Sequence, residues 1–138
     1  MVYITRKEHF NAAHKVHRSE WSVEKNKEIF GKCANPNWHG HNYNLFVTVK
    51  GKPHPLTGFV VDLKALSVLI RETITEELDH KNLNEDDTFM KGLIPTTEHM
   101  SIEIWKHLAT PIQAMGAQLH CIKLYETDNN YVEYFGEE

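Results

Sequence analysis

Residues 41–50 read His41-Asn42-Tyr43-Asn44-Leu45-Phe46-Val47-Thr48-Val49-Lys50, and this stretch decides the fold of the 138-residue chain. Its apolar side chains recur at period two (Tyr43, Leu45, Val47, Val49), which is typical of a strand with one buried face. Three more strands are predicted at residues 3–14, 119–127 and 131–135, the last two joined by a hairpin turn at 128–130. A short apolar strand is expected at 59–61, after a turn.

Two helices are predicted between these strands. Asp62 is typical of a helix N-cap, because a short carboxylate can accept hydrogen bonds from free backbone N–H groups. Residues 63–78 then carry one apolar stripe at spacings of three and four. A second helix is expected from residue 96 or 97 to residue 108, with Pro111 ending it.

The remaining segments predict connections. Residues 17–31 are polar and charged and indicate a surface loop or short helix, and residues 82–87 indicate a polar loop. The resulting order, ββααββ, predicts an α+β fold in which an antiparallel sheet carries two helices on one face. The length suits one domain over residues 1–138.

Composition excludes several classes of protein. Apolar residues make up 41% and charged residues 25%, which rules out a disordered or collagen-like chain. The net charge of −4 argues against a nucleic-acid binder that works by bulk charge. Two cysteines are too few for a disulfide framework. With no signal-peptide pattern and no apolar stretch near ~20 residues, we expect a cytoplasmic protein.

The ten histidines make a metal site the first chemistry to seek. His39 and His41 are two residues apart, and on an extended backbone that spacing points both imidazoles to one face. A third neutral imidazole would complete a three-nitrogen zinc site with an open fourth position. His14 is the best third ligand, because it ends a strand that could pair with the strand of His39; His9 and His17 are the alternatives.

Two motifs offer groups for proton transfer. Cys33 lies six residues before His39, and it could ligate zinc or act as a nucleophile or base near the metal, where positive charge favours the thiolate. Asp79 and His80 follow the first predicted helix, and the carboxylate could fix the tautomer of the imidazole. A histidine at a helix C-terminus is also favoured by the helix dipole alone.

Three further features offer binding groups. Glu126 lies where a strand enters a hairpin, and its carboxylate could accept two hydrogen bonds from a planar, guanidine-like donor; otherwise it is an exposed strand-end acid. The Thr-Thr-Glu run at 96–98 could belong to a site or simply begin a helix. A basic cluster could attract an anion or form a solvated loop (Lys15, Arg18, Lys25, Lys27, Lys32).

Taken together and in this order, the motifs resemble the 6-pyruvoyltetrahydropterin synthase family over nearly the whole chain. The resemblance rests on Cys33-x5-His39-Gly-His-Asn-Tyr43, Leu78-Asp-His-Lys-Asn-Leu83, Thr96-Thr-Glu98 and Tyr125-Glu-Thr-Asp-Asn-Asn130, with Phe10-Asn-Ala-Ala-His14, Phe30-Gly-Lys32 and Gly58-Phe-Val-Val-Asp-Leu63. It implies a tunnelling fold with a four-stranded antiparallel sheet and two helices. Three subunits would join their sheets into a twelve-stranded barrel, and two trimers would stack as a homohexamer with active sites between subunits.

The resemblance also implies residue roles. Zinc would be held by His14, His39 and His41. Cys33 would be the general base or acid, and Asp79 with His80 would form a proton-transfer pair contributed by a neighbouring subunit. The pterin would be anchored by Glu126 and held by Thr96 and Thr97, with Glu98 close behind and Lys32 among the basic residues that face the triphosphate.

The implied substrate is 7,8-dihydroneopterin triphosphate, and the implied product is 6-pyruvoyltetrahydropterin, formed with elimination of triphosphate. No external reductant is needed, because oxidation of the side chain balances reduction of the ring. The alternative is 6-carboxytetrahydropterin synthase of queuosine biosynthesis, which takes the same substrate and releases acetaldehyde as well. The five-residue gap between Cys33 and His39 favours the pyruvoyl branch. A non-catalytic zinc- or pterin-binding protein is a second alternative, against which the retained Cys33, Asp79 and His80 argue.

Two positions depart from the family pattern. Trp38 precedes the His-Gly-His motif where many relatives carry glycine, and its large ring could reshape the mouth of the pocket or simply pack against a neighbour. Lys15 follows the first zinc histidine where arginine is common. Because lysine presents a point charge in place of a planar fork, a weaker grip on phosphate is expected there.

Overall fold

Two 13-residue strands run through the middle of the sheet in the computed structural model, which describes residues 1–86 and 89–137. The elements, in chain order, are β1 (Val2–His14), α1 (Val23–Phe30), β2 (His39–Gly51), α2 (Leu63–Ile70), α3 (Glu76–Leu78), β3 (Lys81–Asn82), α4 (Thr97–Ala114), β4 (Gln118–Thr127) and β5 (Asn130–Tyr134). The predicted α+β class is confirmed. No helix among the described residues is both long and apolar enough to span a membrane.

The sheet has five strands in the order β3-β1-β2-β4-β5. The pairs β1–β2, β2–β4 and β4–β5 are antiparallel, as expected, whereas β3 pairs in parallel with Ala12 and Ala13. The prediction of a purely antiparallel four-stranded sheet is therefore wrong by one short strand. The two residues of β3 are too few to show an apolar alternation, so the sequence carries no signal for them.

One face of the sheet forms the core. The period-two residues of β2 are fully buried, as predicted (Tyr43, Leu45, Val47, Val49). They pack together with apolar residues from the two long helical segments, which include Leu66, Ile70, Ile74, Ile104 and Leu108. His14, His39 and His41 belong to the same period-two rows, so their side chains lie on this covered face of the sheet rather than on the other one.

The helix that follows Asp62 is continuous over residues 63–78. The Asp62 carboxylate accepts hydrogen bonds from the N–H groups of Lys64 and Ala65 at 2.8 and 3.4 Å, which confirms the predicted N-cap. A π-helical turn, Arg71–Thr75, joins α2 to α3. This long helix therefore ends at Leu78, directly before the Asp79-His80 motif.

The second long helix, α4, extends beyond its predicted end. Thr96 caps it by accepting a hydrogen bond from the N–H of His99 at 3.2 Å. Pro111 was expected to end this helix and instead lies inside it. The helix continues because Ile112 repeats the four-residue spacing of the core positions before it and is fully buried, so its burial offsets the hydrogen bond that proline cannot make.

The connecting segments differ in part from expectation. The segment 17–31 contains a short helix, α1, capped by Ser22, which makes a third helix beside the two predicted ones. The strand expected at 59–61 is absent, because the backbone of this loop bonds to itself: the N–H of His54 donates to the carbonyl of Phe59 at 2.8 Å. In the loop predicted at 82–87, Asp87 lies outside the described residues.

A buried carboxylate ties β1 to the long helix that ends at the Asp79-His80 motif. Glu8 is 7% exposed, and its carboxylate accepts hydrogen bonds from Ser67 at 2.8 Å, Arg6 at 3.0 Å and Arg71 at 3.2 Å. Burial alone would raise the pKa of Glu8, but the donors from Ser67, Arg6 and Arg71 outweigh it and hold the pKa below its usual value. The strand that carries His14 is thereby fixed to the helix.

We predict that Glu8→Gln lowers the free energy of unfolding by ~1–3 kcal/mol at pH 7, because charge-assisted hydrogen bonds are lost inside the protein. A carboxyl with a lowered folded-state pKa stabilises the fold above its unfolded-state pKa and loses this effect as the pH falls through the folded-state pKa. The difference between variant and wild type is therefore expected to shrink on acidification. Urea unfolding from pH 7 to pH 3 measures it.

Glu20→Gln is the matched control, because the Glu20 carboxylate pairs with Arg18 at 2.8 Å on the exposed surface. This substitution should leave the unfolding curve unchanged, since exposed ion pairs contribute little to stability. A Glu8→Gln protein as stable as wild type at pH 7 would contradict the structural role assigned to this carboxylate.

Candidate active site

Three histidines converge on the covered face of the sheet. In the antiparallel register of β1 and β2, His14 lies opposite His39 and Ala12 lies opposite His41. The ring centroids are 4.5 Å apart for His14 and His39, 5.0 Å for His14 and His41, and 4.9 Å for His39 and His41. One ligating atom from each of the three lies within 4.8 Å of the others.

Hydrogen bonding leaves these imidazoles free to bind a cation. Nδ1 of His14 lies 2.8 Å from the carbonyl oxygen of Pro95, so Nδ1 carries the hydrogen and Nε2 keeps its lone pair. Nε2 of His14 and Nε2 of His41 are buried without a hydrogen-bond partner. Buried polar atoms are normally paired, so two orphaned ring nitrogens facing one space fit a site for a metal ion.

The electrostatics favour neutral rings. Burial lowers the pKa of His14, more than its hydrogen bond to Pro95 raises it. Burial, together with the neighbouring His41, also lowers the pKa of His39. Neutral imidazole is the form that ligates metals, so the site is prepared for a cation. Of the histidines weighed as third ligand, His14 belongs to the group of three, whereas His9 and His17 do not.

A cavity of about 600 Å³ reaches the histidines through one lining residue, Glu126, which contacts His41. Its polar lining includes Cys33, Thr96, Thr97, Glu98 and Glu126, so the structure brings together all five of these sequence-predicted residues. Its apolar wall includes Phe30, from the Phe30-Gly-Lys32 motif, and three residues that no sequence motif indicates (Val16, Ile29, Val132). An apolar wall with a few convergent polar groups is the usual form of a small-molecule site.

Glu126 links this cavity to the histidines. Its Oε1 lies 3.6 Å from Nε2 of His41, and its Oε2 accepts a hydrogen bond from Oγ1 of Thr97 at 2.7 Å. Thr97 begins α4 and Glu126 lies near the end of β4, so this hydrogen bond joins helix and sheet at the site. The carboxylate is thereby held in place and retains acceptor capacity for a ligand.

Asp79 and His80 form a close pair outside this cavity. Nδ1 of His80 lies 2.9 Å from Oδ2 of Asp79, and Oδ1 of Asp79 accepts from the backbone N–H of Asn11 at 2.8 Å. That backbone hydrogen bond, ahead of the one from His80, holds the pKa of Asp79 below its usual value, so the carboxylate is ionised. His80 lines a different cavity, of about 440 Å³, together with Gly40, His41 and Asn42.

His80 adopts a backbone conformation that is rare for its residue type. Its φ of 59° lies in the left-handed region, and its N–H donates to the carbonyl of Asn11 at 2.6 Å. Strained backbone of this kind is concentrated at functional sites. The His80 side chain is 78% exposed, which leaves it available to another molecule.

The remaining sequence-predicted residues lie at the periphery. Lys32 is exposed on the 3₁₀ turn Gly31–Ala34, which also carries the half-buried Cys33. Lys15 is fixed through its backbone, whose N–H donates to Oδ1 of Asn84 at 2.9 Å. Trp38 is 39% exposed beside His39.

Two groups at the site were missed from the sequence. The Pro95 carbonyl orients His14, and a backbone oxygen leaves no trace in a residue pattern. The Tyr43 hydroxyl is buried without a partner, and the sequence motif that contains Tyr43 assigns this hydroxyl no role. Burial, followed by the charges of Glu126 and Cys33, raises the pKa of Tyr43 well above its usual value.

Comparisons with known proteins agree with this geometry. The family model described as 6-pyruvoyl tetrahydropterin synthase matches residues 3–137. A 6-pyruvoyl tetrahydrobiopterin synthase of Poecilia reticulata is 46% identical over 136 residues, covering 98% of this chain and 90% of that protein. The protein of the same name from Homo sapiens is 42% identical over 134 residues, covering 97% and 91%.

Two further relatives are a protein of solved structure and a protein that carries the name of the carboxy branch. The structure of Caenorhabditis elegans 6-pyruvoyl tetrahydropterin synthase superposes with a TM-score of 0.89 at 35% identity, covering 99% of this chain and 96% of that one. A 6-carboxy-5,6,7,8-tetrahydropterin synthase of Bacillus subtilis is 27% identical over 130 residues, covering 91% and 80%. The chain therefore belongs to the 6-pyruvoyl tetrahydropterin synthase family.

Proposed function

We propose that residues 1–138 form one zinc-dependent lyase domain that converts 7,8-dihydroneopterin triphosphate into 6-pyruvoyltetrahydropterin with elimination of triphosphate. The observation that carries the proposal is the convergence of three imidazoles beside a cavity that contains both Cys33 and Glu126. The relatives that share 42–46% identity with the chain are named as 6-pyruvoyl tetrahydrobiopterin synthases. We also place the protein in the cytoplasm, where Cys33 would remain reduced.

Zinc fits the donor set of this site. Three histidine nitrogens with a fourth position left for substrate are typical of catalytic zinc, whereas structural zinc is enclosed by four protein ligands. The orphaned Nε2 atoms of His14 and His41 lie where such an ion would bind. When bound, zinc would polarise oxygens of the substrate's side chain and acidify the adjacent C–H bonds.

Glu126 is the proposed anchor of the pterin ring. A pterin presents its 2-amino group and N3–H side by side, and a carboxylate can accept both hydrogen bonds at once. Thr97 holds Oε2 of Glu126 at 2.7 Å, which limits the rotation of the carboxylate. Thr96 and Glu98 line the same cavity and would border the ring, although the Thr96 hydroxyl also caps α4.

Cys33 and His80 are the proposed proton-transfer groups. The Cys33 thiolate would take a proton from carbon of the substrate's side chain, and His80, supported by Asp79, would act as the partner acid. Cys33 and Glu126 line one cavity, whereas His80 lines the other cavity of its own chain, which His41 also borders. We therefore propose that each active site takes its His80 from a neighbouring subunit.

The sheet edges support an assembly of this kind. Among the described residues, β1 pairs on its outer side only at Ala12 and Ala13, and β5 forms the opposite edge of the sheet. Open edges are normally covered or closed, and three sheets joined edge to edge through their four antiparallel strands (β1, β2, β4 and β5) would form a twelve-stranded barrel. We propose that two trimers of this kind stack into a homohexamer, with Lys32 and its basic neighbours near the triphosphate.

The carboxy branch is the second candidate, because the relative from Bacillus subtilis carries that name at 27% identity. Product analysis separates the two branches. We predict that zinc-loaded protein incubated with 7,8-dihydroneopterin triphosphate releases triphosphate and forms 6-pyruvoyltetrahydropterin by mass spectrometry, without acetaldehyde. Acetaldehyde released in equal amount to triphosphate would assign the chain to the carboxy branch, and no turnover would contradict the enzyme proposal.

We predict that Cys33→Ala lowers kcat by ~10²–10⁴-fold, because a positioned proton-transfer group is removed. Its zinc content should remain at the wild-type level, since Cys33 is not among the three clustered ligands. Cys121→Ala is the matched control: Cys121 is buried in β4 and does not line the cavity. Turnover by Cys33→Ala close to that of the control would exclude the proposed role.

Subunit mixing tests where His80 acts. Cys33→Ala and His80→Ala should each be inactive alone. If each site combines Cys33 of one chain with His80 of another, dissociating and reassociating an equal mixture restores intact sites, to about a quarter of wild-type activity for random assembly. Activity that stays at the level of the separate variants, in mixtures shown to have exchanged subunits, would place both groups in one chain.

A further inference from the structure

The third orphaned polar atom of the site is the hydroxyl of Tyr43. Among the described residues, the buried side-chain polar atoms without a hydrogen-bond partner are Nε2 of His14, Nε2 of His41 and the hydroxyl oxygen of Tyr43. All three belong to one place, because the Tyr43 ring centroid lies 5.7 Å from that of His41 and 6.4 Å from that of His14. A bound metal accounts for the two nitrogens and leaves the hydroxyl unexplained.

Packing alone does not account for the hydroxyl. Tyr43 is fully buried, and its ring stacks on Phe10 with centroids 4.9 Å apart and planes at 12°. A phenylalanine at position 43 would make the same stacking contact. A buried hydroxyl without a partner costs free energy that phenylalanine would not cost, so its presence points to a partner that binds from outside.

The surroundings of the hydroxyl indicate what that partner is. After burial, the charges of Glu126 and Cys33 contribute to the raised pKa of Tyr43, and both of these residues line the 600 Å³ cavity. Glu126 in turn lies 3.6 Å from His41. The Tyr43 hydroxyl is buried, as are Nε2 of His14 and Nε2 of His41, and its ring contacts the rings of both histidines.

We propose that Tyr43 is a further catalytic residue, whose hydroxyl donates a hydrogen bond to the substrate oxygen that enters the space between His14, His41 and Glu126. This inference rests on the proposed function and deepens it. A phenol is neutral near pH 7 and can donate one hydrogen bond. A donor aimed at an oxygen that gains negative charge stabilises the transition state more than the ground state, and it does so without giving up its proton.

Tyr43→Phe removes the hydroxyl and keeps the ring that stacks on Phe10. We expect kcat to fall by ~10²- to 10³-fold, as for other single donors to a developing anion, with a smaller change in KM. The melting temperature of the metal-free variant should equal or exceed that of metal-free wild type, because an unpaired buried hydroxyl has been removed. Zinc affinity, measured by chelator competition, should be unchanged.

Tyr134→Phe is the matched control. Tyr134 lies on β5, where its ring packs against Trp105 of α4, and it does not line the cavity. It should keep wild-type kcat. Fluorescence titration of zinc-loaded protein with 7,8-dihydroneopterin, which carries the side-chain oxygens without triphosphate, gives a readout that does not depend on turnover. We expect Tyr43→Phe to weaken this binding by ~3- to 10-fold.

Three results would overturn the inference. Wild-type turnover and wild-type 7,8-dihydroneopterin affinity in Tyr43→Phe would show that the hydroxyl has no partner in the substrate. A clearly lower melting temperature of the metal-free variant would show that the hydroxyl is a structural group. Lost zinc affinity would make it a metal ligand. If wild-type protein itself does not turn over, the proposed function fails, and the titration alone then decides the role of Tyr43.

Discussion

The antiparallel register of β1 and β2 is the constraint on which the site depends. It sets His14 opposite His39 and places His41 two residues further along the same face, so three imidazoles meet within 4.8 Å. A shift of one residue in this pairing would turn one strand's side chains to the opposite face and separate the group. The alternating apolar residues of β2 fix the register, because the same shift would expose Leu45 and Val47. The same strand register therefore determines both the packing of the core and the positions of the three histidines.

The other groups are attached to this pair of strands by a few hydrogen bonds. The carbonyl oxygen of Pro95 accepts a hydrogen bond from Nδ1 of His14. Two residues later, the hydroxyl of Thr97 donates a hydrogen bond to Glu126. The start of α4 thus holds both the metal ligand and the proposed pterin anchor. On the other side of β1, Asn11 binds Asp79 and His80 through its backbone, so the proposed acid is aligned by the same strand as His14. Each side chain is positioned by a backbone that the core already fixes.

Much of this arrangement could be predicted from the sequence, and the failures have physical causes. Period-two alternation and the Asp62 cap are local signals, and they located β2 and α2 correctly. Pro111 is a strong local signal for a helix end, but the burial of Ile112 overrides it, and that burial depends on the tertiary packing of α4. The short β3 is formed by contact with β1 and carries no pattern of its own. The period-two pattern of β2 predicts that Tyr43 is buried. It does not indicate whether the hydroxyl of this residue has a hydrogen-bond partner.

The central claim is that the three imidazoles hold one zinc ion with a position left open for substrate. Anomalous X-ray scattering from crystals of the zinc-loaded protein, recorded on both sides of the zinc absorption edge, tests it most directly. The account predicts one anomalous peak per chain, at about 2.0–2.1 Å from a ring nitrogen of each of His14, His39 and His41. A peak elsewhere, a fourth protein ligand at the ion, or no peak between the three rings would contradict it.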